Sequence, residues 1–161
     1  MNKIELQNES KERHSLIPAV HLFLIKEDKI LLLRRYNTGF EDGNYSVPAG
    51  HIEKNEPATA TLIRESKEEI GVNLSLDNIK SCGVMHRKEP DEERIDLFFS
   101  TEKWYGEIKI MEPQKCDDLS WFALDNLPTN LVPYVKAAID AFNSGRLYTE
   151  FGWESIREGR R

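Results

Sequence analysis

Only two cysteines occur among the 161 residues, Cys82 and Cys116, and they stand far apart with no CxxC or Cys/His metal pattern around them. Two buried, reduced thiols are expected, and with them a cytoplasmic setting. Positive charge is also short. Lys and Arg number 22 against 28 Asp and Glu, leaving a net charge of −6. That balance argues against stable binding to nucleic acid or to an anionic membrane, each of which calls for a basic patch. No apolar run approaches the roughly 18 residues of a membrane span. Met1–Lys11 lacks the apolar core of a signal peptide. Internal repeats and low-complexity segments are absent, so no second domain is expected.

What is present is an ordinary globular balance, 39% hydrophobic and 31% charged, in a chain long enough for one domain with its own core. Residues 1–15 read as a polar lead-in, 16–145 as the domain and 146–161 as a tail. The run IPAVHLFLIKEDKILLLRR predicts two strands around a Glu27–Asp28 turn. NTGFEDGNY is a loop, and YSVPAGHIE a short strand leading into a turn. NEPATATLIRESKEEIGV predicts a helix capped by Asn55 or Glu56, with Pro57 in its first turn and Gly71 as its stop. IKSCGVMHR and RIDLFFSTEKWYG form a strand pair around a charged, solvated loop, LSWFAL is a further strand, and a second helix ends near Gly145. The order strands, helix, strands, helix predicts an α/β (α+β) sandwich, a mixed sheet between helices.

One stretch breaks local rules. In RESKEEIG, residues 64–71, Glu65, Glu68 and Glu69 fall within roughly a 100° arc of the helix. Like charges at such spacings repel, and they crowd the helix end where the macrodipole is already negative. A solvated acidic face, eased by Arg64 and Lys67, is the plain explanation. The alternative is a set of hard oxygen ligands for a divalent cation, Mg²⁺ first and Mn²⁺ second.

A longer spacing decides between them. Gly50, Glu56, Arg64, Glu65, Glu68, Glu69 and Gly71 recur as Gly-x5-Glu-x7-Arg-Glu-x2-Glu-Glu-x-Gly, followed by the apolar Val72. At roughly 5–7% per position, such a match arises by chance on the order of once in a million chains. The pattern resembles the Nudix box, and VPAGH resembles that family's entry from strand to turn. Three positions depart from its commonest form. Tyr45 stands where tryptophan is usual, Ala49 replaces a glycine, and Ser66 fills an apolar slot. None removes a proposed ligand.

The resemblance implies a Nudix fold and hydrolysis of a nucleoside diphosphate linked to a further group. It implies metal ligation by Glu65, Glu68, Glu69 and a backbone carbonyl at Ala49, with Glu65 as the first choice of base. Glu112 joins them from a loop outside the box, and Arg64 acts within the site as a clamp on Glu56 or Glu65. Gly50 is expected to turn the backbone tightly. Arg35, at the end of the second strand, is the candidate for substrate phosphates. Tyr36, Phe40, Trp104 and Trp121 are candidates for stacking on a base, and none of the four histidines is assigned catalysis.

EPQKCDDLSWFALDNLP, with VMHR and ERIDLFF, is similar to MutT-like members, which implies cleavage of a nucleoside triphosphate, including an oxidised one, to the monophosphate and pyrophosphate. The alternatives are an ADP-ribose or nucleotide-sugar pyrophosphatase and a non-hydrolysing regulatory Nudix domain. The short lead-in speaks against the first, and the intact box against the second. An RNA 5′-end pyrophosphohydrolase fits the acidic balance poorly. The partner expected is a nucleotide, with the chain a monomer or homodimer. Tail aromatics Tyr148, Phe151 and Trp153 are placed on a lid, in a dimer contact or against their own domain.

Overall fold

The computed structural model describes residues 12–154 and 156. Most of the predicted lead-in (1–11) and the end of the predicted tail (155 and 157–161) lie outside the described residues.

Two left-handed residues, Glu27 (φ 50°) and Asp28 (φ 60°), turn the first hairpin. This is the two-residue turn whose twist matches that of the strands it joins. The strands are β1 (Ile17–Lys26) and β2 (Lys29–Arg35), as their Val, Ile and Leu content predicts. They pair only next to the turn, at Ile25↔Ile30 and Lys26↔Lys29, and then part to join different neighbours. β2 takes β3 (Tyr45–Ser46) and, from Lys29↔Ala123 to Arg35↔Cys116, β7 (Cys116–Ala123), both antiparallel. β1 takes the short β4 (Ala49–His51) antiparallel and β6 (Glu93–Thr101) in parallel. Outside β6 lies β5 (Lys80–Lys88), and outside that β8 (Tyr148–Phe151). The result is one eight-stranded mixed sheet.

Side-chain alternation then builds two cores. Val20, Leu22 and Leu24 of β1 and Leu31 and Leu33 of β2 face helix α1 (Ala58–Ile70), meeting Leu62 and Ile70. Phe23, Ile25, Ile30 and Leu32 face the other way, toward α2 (Pro133–Asn143) and its Val135, Ala138 and Ile139. The mixed sheet between helices is thus the predicted architecture. Continuous burial from Ala19 to Ile25 follows, because each face of β1 has a helix of its own.

Several local expectations need correction. Neither Asn55 nor Glu56 caps α1; Pro57 itself is the N-cap, in extended geometry, with no side-chain bond. Asn55 sits in the preceding turn at φ 63°, and the Glu56 carboxylate is engaged elsewhere. Gly71 does end the helix in the left-handed conformation (φ 77°), donating its N–H to Lys67 O at 3.2 Å. Ser66, in the apolar slot, is buried and satisfies its hydroxyl by donating to Leu62 O at 2.7 Å. Of the tail alternatives, docking on the same domain is the one observed. Residues 148–151 form β8 beside β5, and Trp153 donates its indole N–H to His86 O at 3.0 Å.

Truncation of Leu22, fully buried on the α1 face, to alanine should lower stability by about 2–5 kcal/mol without changing the fold, checked by chemical denaturation.

Candidate active site

Helix α1 carries Glu65, Glu68 and Glu69 of the box, and Glu65 and Glu69 meet β4. The nearest approach is at Gly50, where a Cβ would overlap the Glu65 carboxyl group. Gly50 was expected to serve a tight turn. It lies instead inside β4, paired with Val20, and its missing side chain makes room for Glu65. Ala49 next to it donates its N–H to Glu69 Oε2 at 3.1 Å, which brings its peptide group to the acidic cluster.

Arg64 binds both carboxylates named for it. Its Nε and Nη2 form a fork on Glu56 at 2.9 and 3.1 Å, and Nη1 donates to Glu65 Oε1 at 2.9 Å. The same nitrogen lies 3.5 Å from Glu68. These bonds hold Glu56 down at about 2. Burial pushes Glu65 up, opposed by Arg64 and aided by Glu68 and Glu112. Burial likewise pushes Glu69 up, to about 8, against the Ala49 N–H and with Glu65 and Glu112 adding repulsion.

Glu112 reaches this cluster for a reason visible in the backbone. The helix ends with orphan carbonyls, and the segment before β7 satisfies them. Lys109 N–H donates to Ile70 O at 3.1 Å and Met111 N–H to Glu69 O at 3.2 Å. Residue 112 is thereby carried to the side of α1. Glu65, Glu68, Glu69 and Glu112 line one cavity of about 510 Å³, shared with Arg35, Lys115 and Cys116.

Among the described residues, no three acidic, histidine or cysteine side chains already converge into a nest for a cation. Arg64 supplies the positive charge in this arrangement. The donor chemistry still fits a hard divalent ion: four carboxylates line one cavity, and two of them, Glu65 and Glu69, are partly stripped of water.

A second cavity, of about 750 Å³, adjoins the first, and Glu65, Arg35 and Lys115 line both. Of the stacking candidates, Phe40 borders it, whereas Trp104 and Trp121 pack on each other in the α1-side core. Arg34 and Arg35, adjacent in β2, point to opposite faces. Arg34 pairs with Asp117 at 2.7 Å, while Arg35 turns to the cavities and bonds Phe40 O and Thr38 Oγ1 at 2.6 and 3.0 Å.

One wall of this cavity was not foreseen. His21 and Arg87, both buried, converge on Asp96, His21 Nε2 at 2.9 Å and the Arg87 fork at 2.6 and 3.2 Å. The Arg87 guanidinium lies 3.7 Å from the centre of the Tyr134 ring. Burial works to raise Asp96, but the hydrogen bonds from His21 and Arg87 win and bring it to about 2. The signal was present in the sequence as charges in otherwise apolar strands, Arg87 in β5 and Asp96 in β6. No short-range pattern joins them to His21, 75 residues from Asp96.

Comparison with known proteins identifies the family. A family model described as NUDIX domain matches residues 15–142. The chain belongs to the Nudix family. It is 31% identical over 113 residues to the NAD-capped RNA hydrolase NudC of Stutzerimonas stutzeri, covering 70% of this chain but only 38% of that protein. It is 30% identical over 127 residues to the ADP-ribose pyrophosphatase of Methanocaldococcus jannaschii, covering 78% of this chain and 73% of the relative. Among solved structures, a MutT NUDIX hydrolase from Burkholderia pseudomallei superposes with a TM-score of 0.73 at 25% identity, over 79% of this Nudix chain and 98% of the other. No helix among the described residues is long and apolar enough to cross a membrane.

Gly50→Ala should leave the Nudix fold in place but displace Glu65, and turnover of any substrate should fall by about a hundredfold, read from initial rates beside a thermal melt. Asp96 has a depressed folded-state pKa. Its contribution, about 2 kcal/mol, is therefore complete above pH ~4 and lost as the pH falls toward 2. In Asp96→Asn this part of the acid limb should disappear from denaturation curves taken between pH 2 and 5. Stability at pH 7 should also drop, by about 3 kcal/mol, because buried Arg87 loses its forked carboxylate partner and keeps only Glu89 as a counter-charge.

Proposed function

We propose that this Nudix domain hydrolyses a phosphoanhydride bond in a nucleoside diphosphate linked to a further group. The observation that carries this reading is the junction of the two cavities, where Glu65 and the cations Arg35 and Lys115 line both. Nudix hydrolases generally use divalent metal ions. Mg²⁺, with Mn²⁺ as a substitute, would be held by Glu65, Glu68, Glu69 and the backbone carbonyl of Ala49, neutralising phosphate oxygens and making a bound water more acidic. Glu65, at the junction, would accept the proton of the attacking water, and Glu112 lines the same cavity. Arg64 orients Glu65 while bound to Glu56. Arg35 and Lys115 meet the diphosphate and hold the reacting phosphorus in place.

The first substrate class is a nucleoside triphosphate, oxidised or not, cleaved to the monophosphate and pyrophosphate. The likeness of residues 112–128 to MutT-like members supports it, as does the MutT neighbour among solved structures. The second is ADP-ribose or a related dinucleotide. It is favoured by the ADP-ribose pyrophosphatase relative and by a second cavity with room for a group beyond the diphosphate.

A panel of triphosphates, oxidised triphosphates, ADP-ribose, NAD and nucleotide sugars, incubated with Mg²⁺ and resolved by chromatography, separates these classes. Pyrophosphate with a monophosphate from one triphosphate supports the first, and cleavage of ADP-ribose or NAD alone supports the second. Tight nucleotide binding without turnover would replace both with a regulatory module. Whichever substrate is cleaved, chelation with EDTA should stop turnover. Glu68→Gln, at a side chain 53% exposed, should fold normally and lose turnover by about a hundredfold or more.

A further inference from the structure

The loop between β2 and β3, residues 36–44, holds an aromatic ring out of the core in an unusually fixed way. Phe40 is 46% exposed. The loop around it is tied down from both sides. Asp42 accepts the backbone N–H groups of Thr38 and Gly39, each at 2.9 Å, and the Thr38 hydroxyl at 2.6 Å. From the strand side, Arg35 donates to the Phe40 carbonyl and the Thr38 hydroxyl oxygen. Two non-glycine residues, Asn37 (φ 51°) and Glu41 (φ 50°), accept left-handed backbone on either side of the ring. Such conformations cost free energy and persist where the surroundings over-determine them.

The ring that this loop presents has one face under the Arg35 guanidinium, 5.2 Å from its centre, and borders the larger cavity. Glu65, assigned above to the reacting phosphate, lines the same cavity. A nucleoside whose phosphates lie at the junction of the cavities would bring its base alongside Phe40. Tyr36, the other exposed aromatic of this loop, borders neither cavity. A ring is suited to this task because every base has a π-face to offer, and an arginine behind the ring stiffens and polarises the platform.

We propose that Phe40 is the platform on which the base of the nucleotide substrate stacks, with Arg35 and Asp42 as the residues that position it. This rests on the reading of the site as a nucleotide-cleaving centre, and it assigns Phe40 a role in affinity rather than in bond breaking. Because the ring is exposed, its replacement leaves both cores intact.

The test is calorimetric and needs no turnover. AMP, GMP, CMP and UMP are titrated into the wild type and into Phe40→Ala, Phe40→Leu and Phe40→Trp, with ribose 5-phosphate as the ligand that has the phosphate and sugar but no base. Thermal melts establish that each variant is folded. The expected result is that the best-bound monophosphate loses about tenfold or more in affinity in Phe40→Ala and Phe40→Leu. Phe40→Trp should restore it, and ribose 5-phosphate should bind all four proteins alike. Equal AMP-series affinity in wild type and Phe40→Ala overturns the proposal. So does an equal loss for ribose 5-phosphate, which would mark a general disturbance of the site, and so does a wild type that binds none of the monophosphates. Hydrolysis without a Phe40 effect leaves the enzymatic reading standing and removes the platform. Binding with the Phe40 pattern but no hydrolysis does the reverse.

Discussion

Everything in this chain is arranged around a strand that cannot touch water. β1 is buried from Ala19 to Ile25, bonded along one edge to β6 and along the other to β4 and the start of β2. With both edges and both faces occupied, its alternation decides which side chains go to α1 and which to α2. The two cores therefore share one backbone. The position of α1 over β4, which brings Glu65 onto Gly50, follows from Leu62 and Ile70 seeking the Val20–Leu22–Leu24 face.

The acidic cluster is the local cost of that arrangement. Three glutamates at the negative end of a helix, two of them partly buried, would be unfavourable without a positive charge nearby. Arg64 partly offsets them within the helix, and the segment before β7 secures the helix end through Lys109 and Met111 while bringing a further carboxylate, Glu112. The same bonds that complete the helix thus gather the acids. A fold that concentrates negative charge beside Arg35 and Lys115 offers matching halves to a metal-bound diphosphate.

The box was legible because its chemistry demands particular letters at particular intervals, and spacing survives translation into a helix face. Glu65, Glu68 and Glu69 could be placed together from periodicity, and Gly71 from its role as a helix stop. Reading failed where a residue had two physically reasonable uses. Glu56 looked like a cap, but a guanidinium two turns along the helix held a stronger claim on it. Gly50 looked like a turn, but the demand came from a side chain on another element. The strand at 148–151 was illegible because a short polar segment is recruited by backbone pairing with β5, which leaves no mark on its side chains. The His21–Arg87–Asp96 wall was illegible for the opposite reason. Its signal lies in the side chains, but long stretches of chain separate them.

β8 has a consequence for the behaviour of the protein in concentrated solution. β5 is nine residues long, and without a neighbour its outer edge would present a row of unpaired N–H and C=O groups, the template on which sheets of separate molecules join. The strand that covers it is only four residues long, with exposed Tyr148 and Glu150, and Trp153 fastens its end to His86. Over Val84–Arg87 the edge of β5 is exchanged for that of a shorter strand bearing Glu150. β8 thereby covers the Val84–Arg87 part of that edge with its own backbone.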